Sequence, residues 1–194
     1  LNRETWVAGE QSRILTFFLT PELRGLSDKV DFLPISYAEI AAYYDRNPPD
    51  AVLFMCSPPD KNGFCSFGTE CSFVADLWSK ARYRIAHVNP LMPRPPGYRG
   101  IPWDQITGYV EADQPLLSVP ESMPDDVSRE IARHLEPFID NGATLQTGLG
   151  KVPDAVLDSL HDRQGLRMHT GLVGDGALRL AGSGALAGTG AIVA

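Results

Sequence analysis

The stretch from Ala143 to Gly176 constrains the fold more than any other part of the chain. It begins with a strand-like run, Ala143-Thr-Leu-Gln-Thr147, that ends on Gly148-Leu-Gly150 and turns into Lys151-Val-Pro153-Asp-Ala-Val-Leu157. Proline suits the first turn of a helix, where its missing N–H would have had no partner. Glycines at the turn let backbone approach backbone or ligand closely, so that several N–H groups can point at one spot. A second strand, Leu166 to Thr170, then delivers Gly171 beside that turn. Such a βαβ unit brings both strand ends to one rim of a sheet, where open α/β sheets bind ligands. Taken alone, a Gly-x-Gly pair is equally compatible with an ordinary βα turn that binds nothing.

The rest of the chain repeats this alternation. Arg13 to Leu19 is apolar-rich, Pro21 to Arg24 opens a short helix, and Val30 to Ile35 reads as a brief strand. Ser36 and Glu39 form a capping box for a helix through Tyr44, which Asn47-Pro-Pro-Asp50 breaks. Ala51 to Cys56 is a near-continuous apolar run, expected to be a strand covered on both faces. Asn62-Gly63 marks a tight turn in the stretch Ser57 to Gly68. Phe73, Leu77, Ala81 and Ile85, at intervals of four, predict a helix over 73–84, followed by a strand from Ile85 to Asn89. Prolines then forbid regular structure through Pro90 to Gly97, and Asp104 to Glu111 holds one more short strand. Past a proline-rich segment, Gln114 to Pro124, Asp125 caps a helix whose apolar positions are Val127, Ile131, Leu135 and Phe138. No clear element is expected after Leu180. Strand and helix in alternation on both sides of the proline-rich segment predict α/β architecture with mainly parallel strands.

A net charge of −7 argues against a broad surface for nucleic acid or anionic membrane. No run approaches the ~18 apolar residues of a spanning helix, and no basic-then-apolar signal pattern opens the chain. Cys56, Cys65 and Cys71, odd in number and without a Cys-x-x-Cys pair, fit free thiols in a reducing cytoplasm better than a disulfide frame or zinc site.

Few residues stand out as chemistry. The four histidines sit at no metal-ligand spacing. His134 and His161 fall on or near polar helical faces, and His87 lies inside an apolar strand. His169 differs, because it stands two residues before the rim position and is a candidate ligand contact or simply a strand residue. No Gly-x-Ser-x-Gly elbow is present, the Walker pattern is missing, and Gly148 and Gly150 lack the third glycine of a dinucleotide fingerprint. Cys65 and Cys71 are nucleophile candidates only if a histidine reaches them; small buried packing is the alternative.

Six stretches together resemble the acetyl-CoA hydrolase/4-hydroxybutyrate CoA-transferase family, a branch of the family I CoA-transferases. They are 17–24, 30–37, 57–68 and 88–94, then Gly148-Leu-Gly-Lys-Val-Pro-Asp-Ala155 and His169-Thr-Gly-Leu-Val-Gly-Asp-Gly176. They follow the family's order over most of the chain. The resemblance implies two CoA-transferase-like α/β domains. Residues 1–113 would be the latter part of the first, 114–124 a proline-rich linker, and 125–194 the start of a second that is incomplete here. It implies further sequence before Leu1 and after Ala194, a homodimer, and no permanently bound cofactor. The substrates would be a short acyl-CoA thioester and small carboxylic acids.

The resemblance also implies a mechanism in which a glutamate attacks the acyl-CoA carbonyl, forming a glutamyl anhydride and then a glutamyl-CoA thioester. The turn Gly148, Leu149, Gly150, Lys151 and Val152 would supply backbone donors, with Lys151 either meeting a CoA phosphate or remaining a solvated lysine. The glutamate belongs directly after the His-Thr step, and here that step reads His169-Thr170-Gly171; no Glu follows Glu136. Three readings follow. Transfer or hydrolysis proceeds without that glutamate, the chain is a catalytically silent acyl-CoA binder, or it is a sugar-phosphate isomerase of the same broad fold. The proline-rich loop and the stretch Ser57 to Gly68 argue against the last.

Overall fold

The computed structural model describes residues 11–26, 28–70, 72–118 and 123–193. The chain divides into two compact units, Leu1–Leu117 and Ser118–Ala194.

In the first unit, β1 (Ile14–Thr16) pairs in parallel with β2 (Val30–Phe32), and a one-turn 3-10 helix, Pro21–Leu23, lies between them. Helix α1 (Tyr37–Arg46) starts at the anticipated capping box: Glu39 N–H donates to Ser36 Oγ at 3.4 Å, and Ser36 N–H donates to Glu39 Oε2 at 2.8 Å. The main sheet follows the order β3 (Ala51–Cys56), β5 (Tyr83–Val88), β7 (Gly108–Glu111), all parallel. Two short strands that no periodicity announces, β4 (Phe64–Cys65) and β6 (Ile101–Pro102), pair antiparallel beside it.

Two expectations for this unit are corrected. Strand β3 is not covered on both faces: Val52, Phe54 and Cys56 are buried, while Leu53 is 72% exposed. The helix over 73–84 shrinks to α2 (Phe73–Leu77) and a 3-10 turn, Trp78–Lys80. The parallel ladder takes the remainder, since Tyr83 N–H already bonds Asp50 O at 2.9 Å and Ile85 pairs with Leu53. Ladder bonds outweighed helical spacing there.

The second unit carries the glycine turn. Helix α3 (Asp126–Leu135) is followed by β8 (Thr144–Leu145), α4 (Lys151–Ser159), β9 (Arg167–His169), α5 (Asp175–Ser183) and β10 (Ile192–Val193). The sheet order β10-β9-β8 is wholly parallel. Each crossover steps one strand in the same direction, and right-handed crossovers of that kind put both helices on one face. There α4 and α5 enclose a core of Leu157, Leu160, Leu166, Met168, Ala177 and Leu180. The other face presents Thr144, Gln146, Arg167, His169 and Val193, all exposed. Gly176 makes the helix contact possible, because a Cβ there would stand 2.6 Å from Asp154 Oδ1 and 3.2 Å from Asp154 Cα.

Helix α3 begins at Asp125 as expected, with Ser128 N–H donating to Asp125 Oδ1 at 2.9 Å. Its apolar stripe does not face the core. Ser128 and Ala132 are buried, while Val127 and Phe138 are 69% and 84% exposed and Ile131 and Leu135 are also exposed. Small side chains let α3 approach its neighbour closely, and the bulky stripe is displaced to one flank of the buried face. The Gly/Ala-rich end is also more ordered than expected: α5 runs past Leu180 to Ser183, Gly184 caps it at φ 85°, and β10 joins the sheet.

Candidate functional site

Parallel strands followed directly by helices put three backbone features at one edge of the second sheet. Strand β8 ends before Gly148, β9 ends before Gly171, and the N-termini of α4 and α5 rise from the same edge. Gly150 is the N-cap of α4 with φ 123°, ψ 178°, a backbone conformation that L side chains rarely adopt. Gly148 is different. Its φ is not positive and a Cβ there would meet no heavy atom within 4 Å, so neither conformation nor packing within this chain demands glycine. Neither α4 nor α5 has a side-chain cap. Among the described residues, the N–H groups of Gly148, Leu149 and Gly150 make no hydrogen bond. The turn thus offers open donors at the positive end of a helix.

Thr170 ties the two strand ends together. It is 2% exposed, and its hydroxyl donates to Thr147 O at 2.7 Å, with Leu172 O a second acceptor at 3.0 Å. The same oxygen accepts from Thr147 N–H at 3.4 Å. The loops also touch further out, where a Cβ on Gly174 would lie 3.1 Å from Leu149 Cδ2. The two halves of the rim are therefore one structure: the glycine turn and the β9–α5 loop.

On the open face of the sheet this rim borders a concavity of about 260 Å³ lined by Gln146, His169, Thr170, Gly171 and Val193. His169 and Gly171 fall on the same face by strand alternation. A Cβ at Gly171 would meet no heavy atom within 4 Å, and its φ is not positive, so a side chain fits without strain. A second cleft of about 280 Å³ lies where α3 meets α4. Its charged lining groups are engaged: Arg129 with Asp126, Arg133 with Glu130 and Asp158 with Arg179. The concavity at Gly171 is the better candidate, because its polar side chains Gln146 and His169 make no hydrogen bond to other described residues.

The structure brings Gly148, Leu149, Gly150 and Gly171 to one rim, with His169 on the face beside it. Lys151 turns elsewhere, its Nζ 3.1 Å from Asp125 Oδ2, both side chains half exposed. Asp125 is held well below the ordinary carboxylate range, chiefly by hydrogen bonds from Ser128 and then by Lys151. Cys56 and Cys65 are fully buried in the first unit's core. The hydrogen bond to Cys65, together with burial, pushes the Cys56 thiol up, which leaves it a packed neutral group; Cys71 lies outside the described residues. Gln146, Thr170 and Val193 were not singled out by sequence. Thr170 has a local signal, since it is the last residue before the rim, whereas Val193 belongs to a strand too short for any pattern. Among the described residues, no cluster of three or more His, Cys, Asp or Glu is placed to hold a metal, and no helix is long and apolar enough to cross a membrane.

Comparison with known proteins places this arrangement. The chain is 35% identical over 162 residues to 4-hydroxybutyrate coenzyme A transferase of Clostridium kluyveri, covering 82% of this chain and 38% of that protein. It is 32% identical over 161 residues to a succinyl-CoA:acetate/propanoyl-CoA:succinate CoA transferase of Fasciola hepatica, covering 81% and 34%. Among solved structures, a 4-hydroxybutyrate CoA-transferase from Porphyromonas gingivalis superposes with a TM-score of 0.78 at 26% identity, covering 91% of this chain and 47% of that one. RipA from Yersinia pestis gives 0.77 at 27% identity, covering 88% and 42%. No family profile matches the chain. Fold and sequence together define a CoA-transferase-type α/β protein. The chain belongs to the family that contains 4-hydroxybutyrate CoA-transferase, and it spans 38% and 34% of the length of the two curated relatives.

Proposed function

We propose that the whole protein handles short-chain acyl-CoA thioesters, moving CoA between carboxylic acids, and that this chain contributes the backbone donors for the thioester carbonyl. The observation that carries this reading is the set of unbonded N–H groups at Gly148, Leu149 and Gly150 beside position 171. A tetrahedral intermediate needs donors held ready for its oxyanion, and one such donor contributes about 3 kcal/mol. Gly148, which the chain's own packing does not require, leaves room for the substrate carbonyl to approach that backbone. Acyl-CoA and small carboxylic acids are then the partners, CoA is a substrate rather than a resident cofactor, and a cytoplasmic homodimer belongs to the same proposal.

The glutamate expected at position 171 is replaced by Gly171, which cannot attack a thioester. That substitution favours a second reading, a catalytically silent acyl-CoA binder, while a water admitted beside Gly171 would convert transfer into hydrolysis. The full-length protein should be incubated with acetyl-CoA, with and without acetate, propionate or succinate, while thioester loss is followed. Acceptor-dependent exchange supports transfer, acceptor-independent loss supports hydrolysis, and retained CoA binding without turnover supports the silent reading. Gly171→Glu, for which the backbone has space, is expected to increase acceptor-dependent exchange. No gain in that folded variant would refute the assignment of position 171.

A further inference from the structure

We propose that the acceptor's own carboxylate sits beside Gly171 and attacks the acyl-CoA thioester directly, so that no protein group becomes acylated. This rests on the reading that the protein handles acyl-CoA, and it names what replaces the missing nucleophile. Three observations support it. First, the open backbone at position 171 faces a concavity of about 260 Å³, which admits a small carboxylic acid. Second, among the described residues the lining offers two free polar side chains and no carboxylate. Gln146 offers an amide, and the His169 imidazole carries a ring N–H in either tautomer, while Val193 offers an apolar wall to an alkyl chain. Third, the thioester donors at Gly148, Leu149 and Gly150 and the edge at Gly171 are held in one rim by Thr170. Two bound reactants would therefore meet as neighbours, and prior positioning replaces much of the entropy that a bimolecular attack in solution loses.

The step balances without any co-reactant. An oxygen of the acceptor carboxylate adds to the thioester carbonyl, the C–S bond breaks, and CoA leaves as its thiolate with a mixed anhydride remaining. The thiolate then adds to the acceptor's carbonyl carbon and expels the donor acid, which carries away the bridging oxygen. The donor acid thus departs with one oxygen that began in the acceptor.

That oxygen is the test. The full-length protein, in excess over propionyl-CoA, is given acetate labelled with oxygen-18 at both positions, and the products of the first turnover are weighed by mass spectrometry. The expected result is propionate carrying one labelled oxygen and acetyl-CoA retaining one. Acetyl-CoA formed with unlabelled propionate would mean passage through a protein carboxylate, overturning the inference while leaving acyl-CoA transfer intact. Propionate formed equally without acetate would mean attack by water, which also overturns it. No thioester loss at all would remove the underlying reading as well. In parallel, Gly171→Val fills the space beside the strand end and is expected to lower acetate-dependent exchange at least about tenfold with an unchanged circular dichroism melt. Undiminished exchange in that folded variant would also overturn direct attack.

Discussion

Replacing Thr170 with valine isolates the hydroxyl that bridges the two halves of the rim. Valine keeps the shape of threonine and its β-branched preference for extended backbone, so the change removes hydrogen bonding rather than volume. The hydroxyl has a single hydrogen, and the shorter contact, 2.7 Å to Thr147 O, is its main bond. The contact to Leu172 O, 3.0 Å, is the minor branch, and Leu172 is exposed enough for water to replace it. The bond accepted from Thr147 N–H is long at 3.4 Å and contributes little. One good bond lost at a site where Thr170 is 2% exposed costs about 1–2 kcal/mol, because Thr147 is left with poorer partners. That corresponds to a rise of roughly 5- to 30-fold in the open population of the turn. Amide hydrogen exchange at Thr147 reads this directly, and urea unfolding of the full-length protein gives the global part. Thr170→Ser should restore most of both, since it returns the hydroxyl. Thr170→Val with unchanged exchange at Thr147 and an unchanged unfolding midpoint would refute the claim that this hydroxyl holds the rim together.

Gly176→Ala puts a methyl group 2.6 Å from Asp154 Oδ1. Overpacking of about 1–3 kcal/mol, partly offset by alanine's preference for helix of up to ~1 kcal/mol, should leave a net loss visible as a lower melting temperature. Arg94→Met removes a guanidinium that donates to Ser57 Oγ at 2.6 Å, Pro58 O at 3.2 Å and Phe64 O at 3.0 Å and pairs with Asp60. With the arginine about a third exposed, the expected cost is about 1–2 kcal/mol, read as a lower urea midpoint at an unchanged slope. Asp125 has a folded-state pKa below its unfolded value, so its contribution is present above the ordinary value of about 3.9 and lost as pH falls from there toward the lowered folded value. Asp125→Asn retains an N-cap and should flatten that acid limb while changing stability little at neutral pH; identical acid limbs would rule out the linkage.

The elements that sequence foretold best are those fixed by a local chemical rule. Ser36 with Glu39, Asp125, and Gly150 followed by Pro153 each mark a helix start, because an unpaired N–H or an unusual φ selects a residue type regardless of what packs nearby. Elements set by partners far along the chain were harder to read. Spacing located helix α3, but the buried side is the small Ser128 and Ala132, since which face is covered depends on the neighbour. Phe73 to Ile85 has helical spacing, yet the ladder with β3 claims its second half. Strands β4, β6 and β10 have two residues each, too few to show a period. At the candidate site, the nearness of the turn to Gly171 was legible, and the concavity was not, because Gln146, His169 and Val193 converge only when three strands align.

A net charge of −7 does not by itself set the field at this edge. Two helices begin at this edge without side-chain caps, each with one acidic residue in its first turn, Asp154 and Asp175, and Lys151 is paired with Asp125. Each helix start favours an anion by roughly 0.3–1 kcal/mol at an exposed position. A glutamate at position 171 would place its own negative charge at this edge and use part of that field. With glycine there, the field remains for a carboxylate that comes and goes. On the proposed reading of position 171, glycine there strengthens the edge's attraction for a free acid, and Gly171→Glu should weaken acetate binding even where it raises exchange. Opposite signs for binding and turnover in one variant would distinguish a protein-borne nucleophile from a substrate-borne one. A variant that gained both would leave direct attack without electrostatic support.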